Sequence, residues 1–174
     1  MEKNRLVKSL EVGKTNRDEA LVAELIRLEK RIFPKHESLA ENFGQEIQRR
    51  NSGVLYVLED SSESGNPSTN EEKVRGGVAG YLMYSCTSLV ATITKLAVKE
   101  SCRRQGYGET LLRAAIEKVR SKKVMCVNLH VDPVREPAFS LYKKLGFEIE
   151  TLVHSYYAPN RDAYRMVLTF DSDK

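Results

Sequence analysis

A chain of 174 residues, 41% apolar and 30% charged, has the length of one ordinary domain and too much apolar content for wholesale disorder. Its longest apolar run, residues 54–58, falls far below the ~18 residues of a membrane span, and Met1-Glu2-Lys3-Asn4-Arg5 holds no signal-peptide core, so no membrane partner is expected. A net charge of +4 suits a small anionic ligand better than nucleic acid. Cys86, Cys102 and Cys126 form neither a CxxC pair nor a zinc pattern with His36, His130 or His154, so no metal and a reduced compartment, cytosol or nucleus, are expected.

Along the chain, residues 5–12 alternate weakly and predict a first strand. Leu21, Leu25, Leu28 and Ile32 recur at helical spacing, and Pro34 stops that helix. Ser38-Leu39-Ala40-Glu41 reads as a capping box ahead of a second stripe, Leu39, Phe43 and Ile47, which Asn51-Ser52-Gly53 ends. Apolar runs at 54–58 and 78–84 flank a segment rich in Ser, Asn, Gly and Glu. They predict a hairpin with a flexible loop at 60–73 and no domain boundary, so that 1–174 is one domain. Residues 91–98 are rich in β-formers. A helix over 106–121 follows, with Leu111, Leu112, Ala115, Ile116 and Val119 on one face. Residues 124–131 predict a strand, and 137–145 a short helix with Pro137 in its first turn and Gly146 as its stop. Two strands, 147–153 and 163–170, close the chain. The order β-α-α-β-β-β-α-β-α-β-β predicts an α/β fold with a mixed sheet. Parallel pairing is expected across both strand-helix-strand units of the second half.

Arg103-Arg104-Gln105-Gly106-Tyr107-Gly108 lies between a predicted strand and a predicted helix. A helix start presents unpaired N–H groups and partial positive charge, and two glycines let phosphate oxygens reach the main chain. The turn reads as a pyrophosphate site; the plainer alternative is a glycine-bent helix entry beside two solvated arginines. No Gly-Lys-Ser/Thr follows, so it is not a Walker A loop, and the three-glycine dinucleotide spacing is missing.

Leu96-Ala97-Val98, this turn, and Ala138-Phe139-Ser140-Leu141-Tyr142-Lys143-Lys144-Leu145-Gly146-Phe147 together resemble the motifs of the GCN5-related N-acetyltransferases (GNAT). The resemblance implies a sheet of about seven strands with about four helices, its central parallel strands splayed around the cofactor. It implies acetyl-CoA as co-substrate, with the pyrophosphate on the glycine turn and the pantetheine along Leu96, Ala97 and Val98. Within the family the likeness is to N-terminal acetyltransferase catalytic subunits. Phe33-Pro34 and Tyr156-Tyr157 stand where those enzymes line the peptide groove and clamp the substrate N-terminus, and Leu129-His130-Val131 matches a base-bearing strand. The implied partner is a protein or peptide N-terminus, or else a lysine or small amine. The likeness leaves room for an auxiliary subunit, and a non-catalytic acyl-CoA-binding module is the competing class.

The residues themselves support a chemistry. His130 falls on the polar face of its strand near the C-terminal end, where open α/β sheets bind ligands, and its ordinary pKa suits a base; a hydrogen-bonded structural histidine is the alternative. Tyr142 has apolar helical neighbours and would serve as a half-buried core residue. In the family, the tyrosine at this position donates a proton to the CoA sulfur. Adjacent strand residues face opposite ways, so Tyr156 and Tyr157 point into one groove only across a bulge. Two positions depart from the pattern. Arg135 replaces a common asparagine and is expected to reach a CoA phosphate or lie in solvent, and Thr92 stands where some relatives carry a second active-site tyrosine.

Overall fold

The computed structural model describes residues 5–10, 16–60 and 77–170. Seven strands form one mixed sheet in the order β1-β2-β3-β4-β5-β7-β6. In chain order these are β1 (Val7–Ser9), β2 (Ser52–Leu58), β3 (Val78–Cys86), β4 (Val90–Val98), β5 (Cys126–Val131), β6 (Glu148–Ala158) and β7 (Arg161–Thr169). The helices are α1 (Asn16–Ile32), α2 (Phe43–Gln48), α3 (Tyr107–Arg120) and α4 (Glu136–Lys144). No helix among the described residues is long and apolar enough to cross a membrane. The predicted loop at 60–73 lies, apart from Asp60, outside the described residues.

Strand β3 is almost wholly buried because both sheet faces are covered. Ala79, Leu82 and Tyr84 pack with Leu111, Leu112, Ala115 and Val119 of α3. Val78, Tyr81 and Met83 pack with Leu25, Leu28 and Phe43 of α1 and α2. Residues 81–84 alternate between the two cores, and a register shift that leaves Ala79 extra against Val57 and Leu58 reverses the alternation ahead of them. Truncating Leu111 or Leu112, both 0% exposed, to Ala would cost about 2–5 kcal/mol.

Three local expectations need correction. The capping box does not form: Ser38 Oγ accepts from the Ala40 N–H at 3.2 Å, a turn within the α1–α2 connection, and α2 starts only at Phe43 without a side-chain cap. Of Asn51-Ser52-Gly53, only Asn51 is a left-handed stop (φ 67); Ser52 and Gly53 already belong to β2. The second strand-helix-strand unit does not pair in parallel, because β7 inserts between β5 and β6 and pairs antiparallel with both.

One irregularity in β4 makes the functional cleft. The β3–β4 register passes from Tyr84↔Ile93 to Met83↔Lys95, leaving Thr94 as an extra residue. Such a bulge bends its strand. On its other edge, β4 pairs in parallel with β5 only from Val90↔Cys126 to Ile93↔Leu129. Beyond that point the two parallel strands part, and β4 groups facing the gap have no ladder partner in β5.

Candidate active site

A cavity of about 640 Å³ runs from the gap to the glycine turn, between β4 and α4. Gly106 adopts φ 87, a left-handed conformation that a side chain resists, and Arg104 is left-handed too (φ 61). Helix α3 begins at Tyr107, so the N–H groups of its first turn have no intrahelical partner and stand at the cavity wall. A Cβ on Gly108 would meet only ordinary contacts, Leu141 Cδ2 at 3.4 Å and Val98 Cγ2 at 3.6 Å, so anything larger would extend into the cavity.

Leu96, Val98, Arg103, Arg104, Gly106, Tyr107 and Gly108 all line this space. Ala97 and Gln105 do not. The Ala97 side chain is buried with the α1 core, and the Gln105 amide turns back to donate to the Ser101 carbonyl at 2.9 Å. The Tyr107 ring is buried and its hydroxyl accepts from the Asp60 N–H at 3.0 Å, which leaves its main chain for a ligand. The fit to an extended, phosphate-bearing group is good: a helix start, two side-chain-free positions and two arginines at one end.

A second cavity of about 350 Å³ opens on the other side of the gap. Phe33, His130, Tyr156 and Tyr157 form its aromatic walls, whereas Pro34 is exposed and takes no part. Both tyrosines reach it because β6 bulges. Pairing jumps from Val153↔Ala163 to Ala158↔Arg161, so four residues of β6 oppose Asp162 alone. Ser155 takes φ 53, and its N–H donates to Asp162 Oδ1 at 2.9 Å. Tyr156 thereby stacks on His130, ring centroids 4.4 Å apart and 11° from parallel. Burial, then the Arg165 charge from β7, pulls the His130 pKa below 6.5, which favours the neutral imidazole. Burial and the neighbouring Tyr156 push the Tyr157 phenol up to about 12.

Charge in this cavity is paired across its walls. Glu37, from the α1–α2 connection, accepts from Arg135 Nη2 and Arg161 Nη1, both at 2.7 Å. Arg161 also donates to Asp132 Oδ2 at 2.6 Å. Burial opposes ionisation of Glu37 and Asp132, yet the arginines hold both carboxyls below their usual range. Lys95 sits 3.4 Å from the buried Glu29 carboxylate, donates to the Glu37 carbonyl at 2.5 Å and lies 3.7 Å over the Phe33 ring. Arg135 therefore neither reaches toward the phosphate end nor lies free in solvent. It closes a bridge that joins the Phe33 wall to the β6–β7 wall.

That bridge makes a prediction. Glu37→Gln keeps the shape but weakens two charge-assisted hydrogen bonds; if this cavity takes the acceptor, the change should raise the acceptor KM about tenfold and leave the KM of the other substrate unchanged. Glu37 has a depressed pKa, so its contribution to stability is complete above 4.5 and is lost as pH falls through its lower folded value. Melting curves of Glu37→Gln should accordingly vary less between neutral and acid pH than those of the wild type. An unchanged acceptor KM would mean that the bridge does not shape the groove.

The two cavities share Leu96, Ala138 and Tyr142. Tyr142, 7% exposed and edge-on to Phe147 at 5.9 Å, sits at their junction. Burial raises its pKa well above 10, so the phenol is protonated. Thr92 lines the second cavity but carries no phenol to take the missing tyrosine's role. Sequence reasoning passed over Glu37, Lys95 and Arg161, which belong to no motif; the one available signal was the density of charge around Pro34 and in the last hairpin.

An elongated groove that meets an aromatic pocket at one phenol is an arrangement that a two-substrate group transfer calls for. The family model described as the acetyltransferase (GNAT) family matches residues 22–147, and the chain belongs to that family. An N-alpha-acetyltransferase of Sulfurisphaera tokodaii is 36% identical over 107 residues, covering 54% of this chain and 64% of that protein. The chain spans about half to two-thirds of the length of the curated relatives it matches. The fold is that of the ribosomal-protein-S18-alanine N-acetyltransferase of Escherichia coli (TM-score 0.75, 22% identity, 98% of this chain and 96% of that one). It is equally similar to Arabidopsis thaliana NAA60 in complex with acetyl-CoA (TM-score 0.74, 17% identity, 96% and 99%).

Proposed function

We propose that this chain is an acetyl-CoA-dependent N-acetyltransferase whose acceptor is a protein N-terminal α-amine, acetylated by direct attack in a ternary complex. The observation that carries the proposal is the shared wall of Leu96, Ala138 and Tyr142, where an amine and a thioester can meet without a covalent enzyme intermediate. The pyrophosphate would lie on the first turn of α3. The pantetheine would take the place of a strand beside β4, using main-chain groups that β5 no longer pairs. The thioester carbonyl would then be polarised by N–H groups of Leu96 to Val98 as its oxygen gains charge. His130, neutral at pH 7, would accept the amine proton directly or through water. Tyr142 would hydrogen-bond the departing thiolate.

The α-amine reading has chemical support besides the relatives' names. An α-amine, pKa about 8, is roughly one-tenth neutral at pH 7, whereas a lysine amine, near 10.4, is neutral in fewer than about one molecule in a thousand. A base whose own pKa is depressed serves the first and is poorly matched to the second. The test is a diverse peptide pool incubated with acetyl-CoA and read by mass. Products on α-amines are expected. Products on lysine or on small amines would replace the acceptor, and binding without thiol release would mark a non-catalytic module.

Gly108→Val tests the donor site. It should weaken acetyl-CoA binding at least tenfold, about 1.4 kcal/mol, by filling the cavity at a position of ordinary helical backbone. Gly106→Val is less specific, because a branched residue at φ 87 adds a backbone cost of about 1–2 kcal/mol. Titration calorimetry giving wild-type affinity for Gly108→Val would remove the turn from the donor site.

A further inference from the structure

The glycine turn is held from beneath by a residue far away in sequence. Arg5 Nη1 donates to the Gln105 carbonyl at 2.7 Å, across 100 residues of chain. Its guanidinium lies 3.9 Å over the Tyr107 ring. Its Nη2 and Nε donate to the two Asp60 carboxylate oxygens at 3.0 and 3.3 Å, while the Asp60 N–H donates to the Tyr107 hydroxyl. The Arg5 side chain is only 8% exposed, and Nη1 stands 3.5 Å from where a Cβ on Gly106 would be. Burial disfavours the charge, but Asp60 and Tyr107 more than compensate and raise the Arg5 pKa.

The peptide units on either side of Gln105 connect two left-handed residues, Arg104 and Gly106. A non-glycine residue there costs about 1 kcal/mol or more and persists only where its surroundings over-determine it. Arg5 supplies that determination. It fixes the Gln105 carbonyl on the side away from the cavity, and so fixes which way the following N–H groups at the start of α3 point. It also puts one positive charge directly under the turn. Arg5 does not line the cavity, so it acts through the turn.

We infer that Arg5 is a positioning residue for donor recognition: it holds the Arg104–Gly106 turn in the conformation that receives the donor's pyrophosphate. The inference rests on reading that turn as the pyrophosphate site. It makes Arg5, ahead of β1, a support of the donor site, and shortening the chain past Arg5 carries the same consequence.

The experiment compares two donors, acetyl-CoA and acetyl-pantetheine, which has the same thioester and no pyrophosphate. Wild-type kcat/KM should be higher for acetyl-CoA; equal values would overturn the pyrophosphate reading itself. Arg5→Ala should raise the acetyl-CoA KM about tenfold, leave kcat/KM for acetyl-pantetheine within about twofold, and leave the acceptor KM unchanged. Arg5→Lys keeps the charge but neither the planar stack nor the fork. It should show a smaller loss confined to acetyl-CoA, and it carries the test should Arg5→Ala not fold. A wild type that prefers acetyl-CoA, with Arg5 variants that lose equally on both donors or on neither, would overturn the role of Arg5 alone.

Discussion

Tyr142→Phe should lower kcat by about 10²–10³-fold, the range for removing one preorganised donor to a developing anion. The acetyl-CoA dissociation constant should stay within about twofold and the melting temperature within a few degrees. The reason lies in how the residue is held. The ring packs on Phe147 and lines both cavities, and phenylalanine reproduces all of that contact. The hydroxyl is what is lost. Burial keeps that hydroxyl protonated, and a raised pKa makes it a reluctant acid in the ground state. In the proposed reaction its contribution would be a hydrogen bond that strengthens as sulfur takes charge, which would act on kcat and hardly on binding. Single-turnover kinetics with saturating donor would read the chemical step directly. An unchanged single-turnover rate would reduce Tyr142 to a core residue.

The parts of this site legible in the sequence are those written locally. The glycine turn, the Leu96–Val98 strand and the helix bearing Tyr142 each occupy a short contiguous stretch whose turn chemistry and periodicity predict their form. What was not legible depends on pairing across long distances. That β7 would insert between β5 and β6 is a matter of strand order, on which alternation is silent. The Glu37–Arg161 contact spans 124 residues, and Glu37–Arg135 spans 98. Arg135 looked like a phosphate ligand or a solvated residue because its partner sits in another wall of the site. The tyrosine pair was the intermediate case: strand geometry stated the condition, a bulge, and Ser155 at positive φ with Asp162 capping its N–H met it. The capping box failed because its own groups are used in the α1–α2 connection: the Ser38 N–H donates to the Pro34 carbonyl at 2.9 Å and Ser38 Oγ accepts from the Ala40 N–H.

His130→Ala should remove about 10²-fold of kcat/KM at neutral pH, and the size of that loss should itself depend on pH. In the wild type, the limb belonging to His130 should titrate below 6.5, because burial first and Arg165 second disfavour the imidazolium. Above that limb the histidine is neutral and ready. The acceptor amine then sets a second limb, near pH 8 for an α-amine. Once the amine has deprotonated unaided, a base has less to contribute, so the deficit of His130→Ala should shrink as pH passes about 8. A lysine acceptor would hold the deficit nearly constant to about pH 10, so the same profile also tests the acceptor class. Stability separates from rate by its sign. A histidine with a depressed folded pKa contributes stability above its unfolded value and loses it as pH falls, so His130→Ala should flatten the acid side of the melting profile whether or not the residue is a base. The Tyr156 stack complicates a simple truncation, since alanine also frees that ring. His130→Phe keeps a flat ring against Tyr156 and removes both nitrogens. If His130→Phe retains wild-type kcat/KM and the limb below 6.5, the proton leaves through another group or through water, and His130 is a platform for Tyr156. If it loses both, as expected, the imidazole nitrogen is the acceptor of that proton.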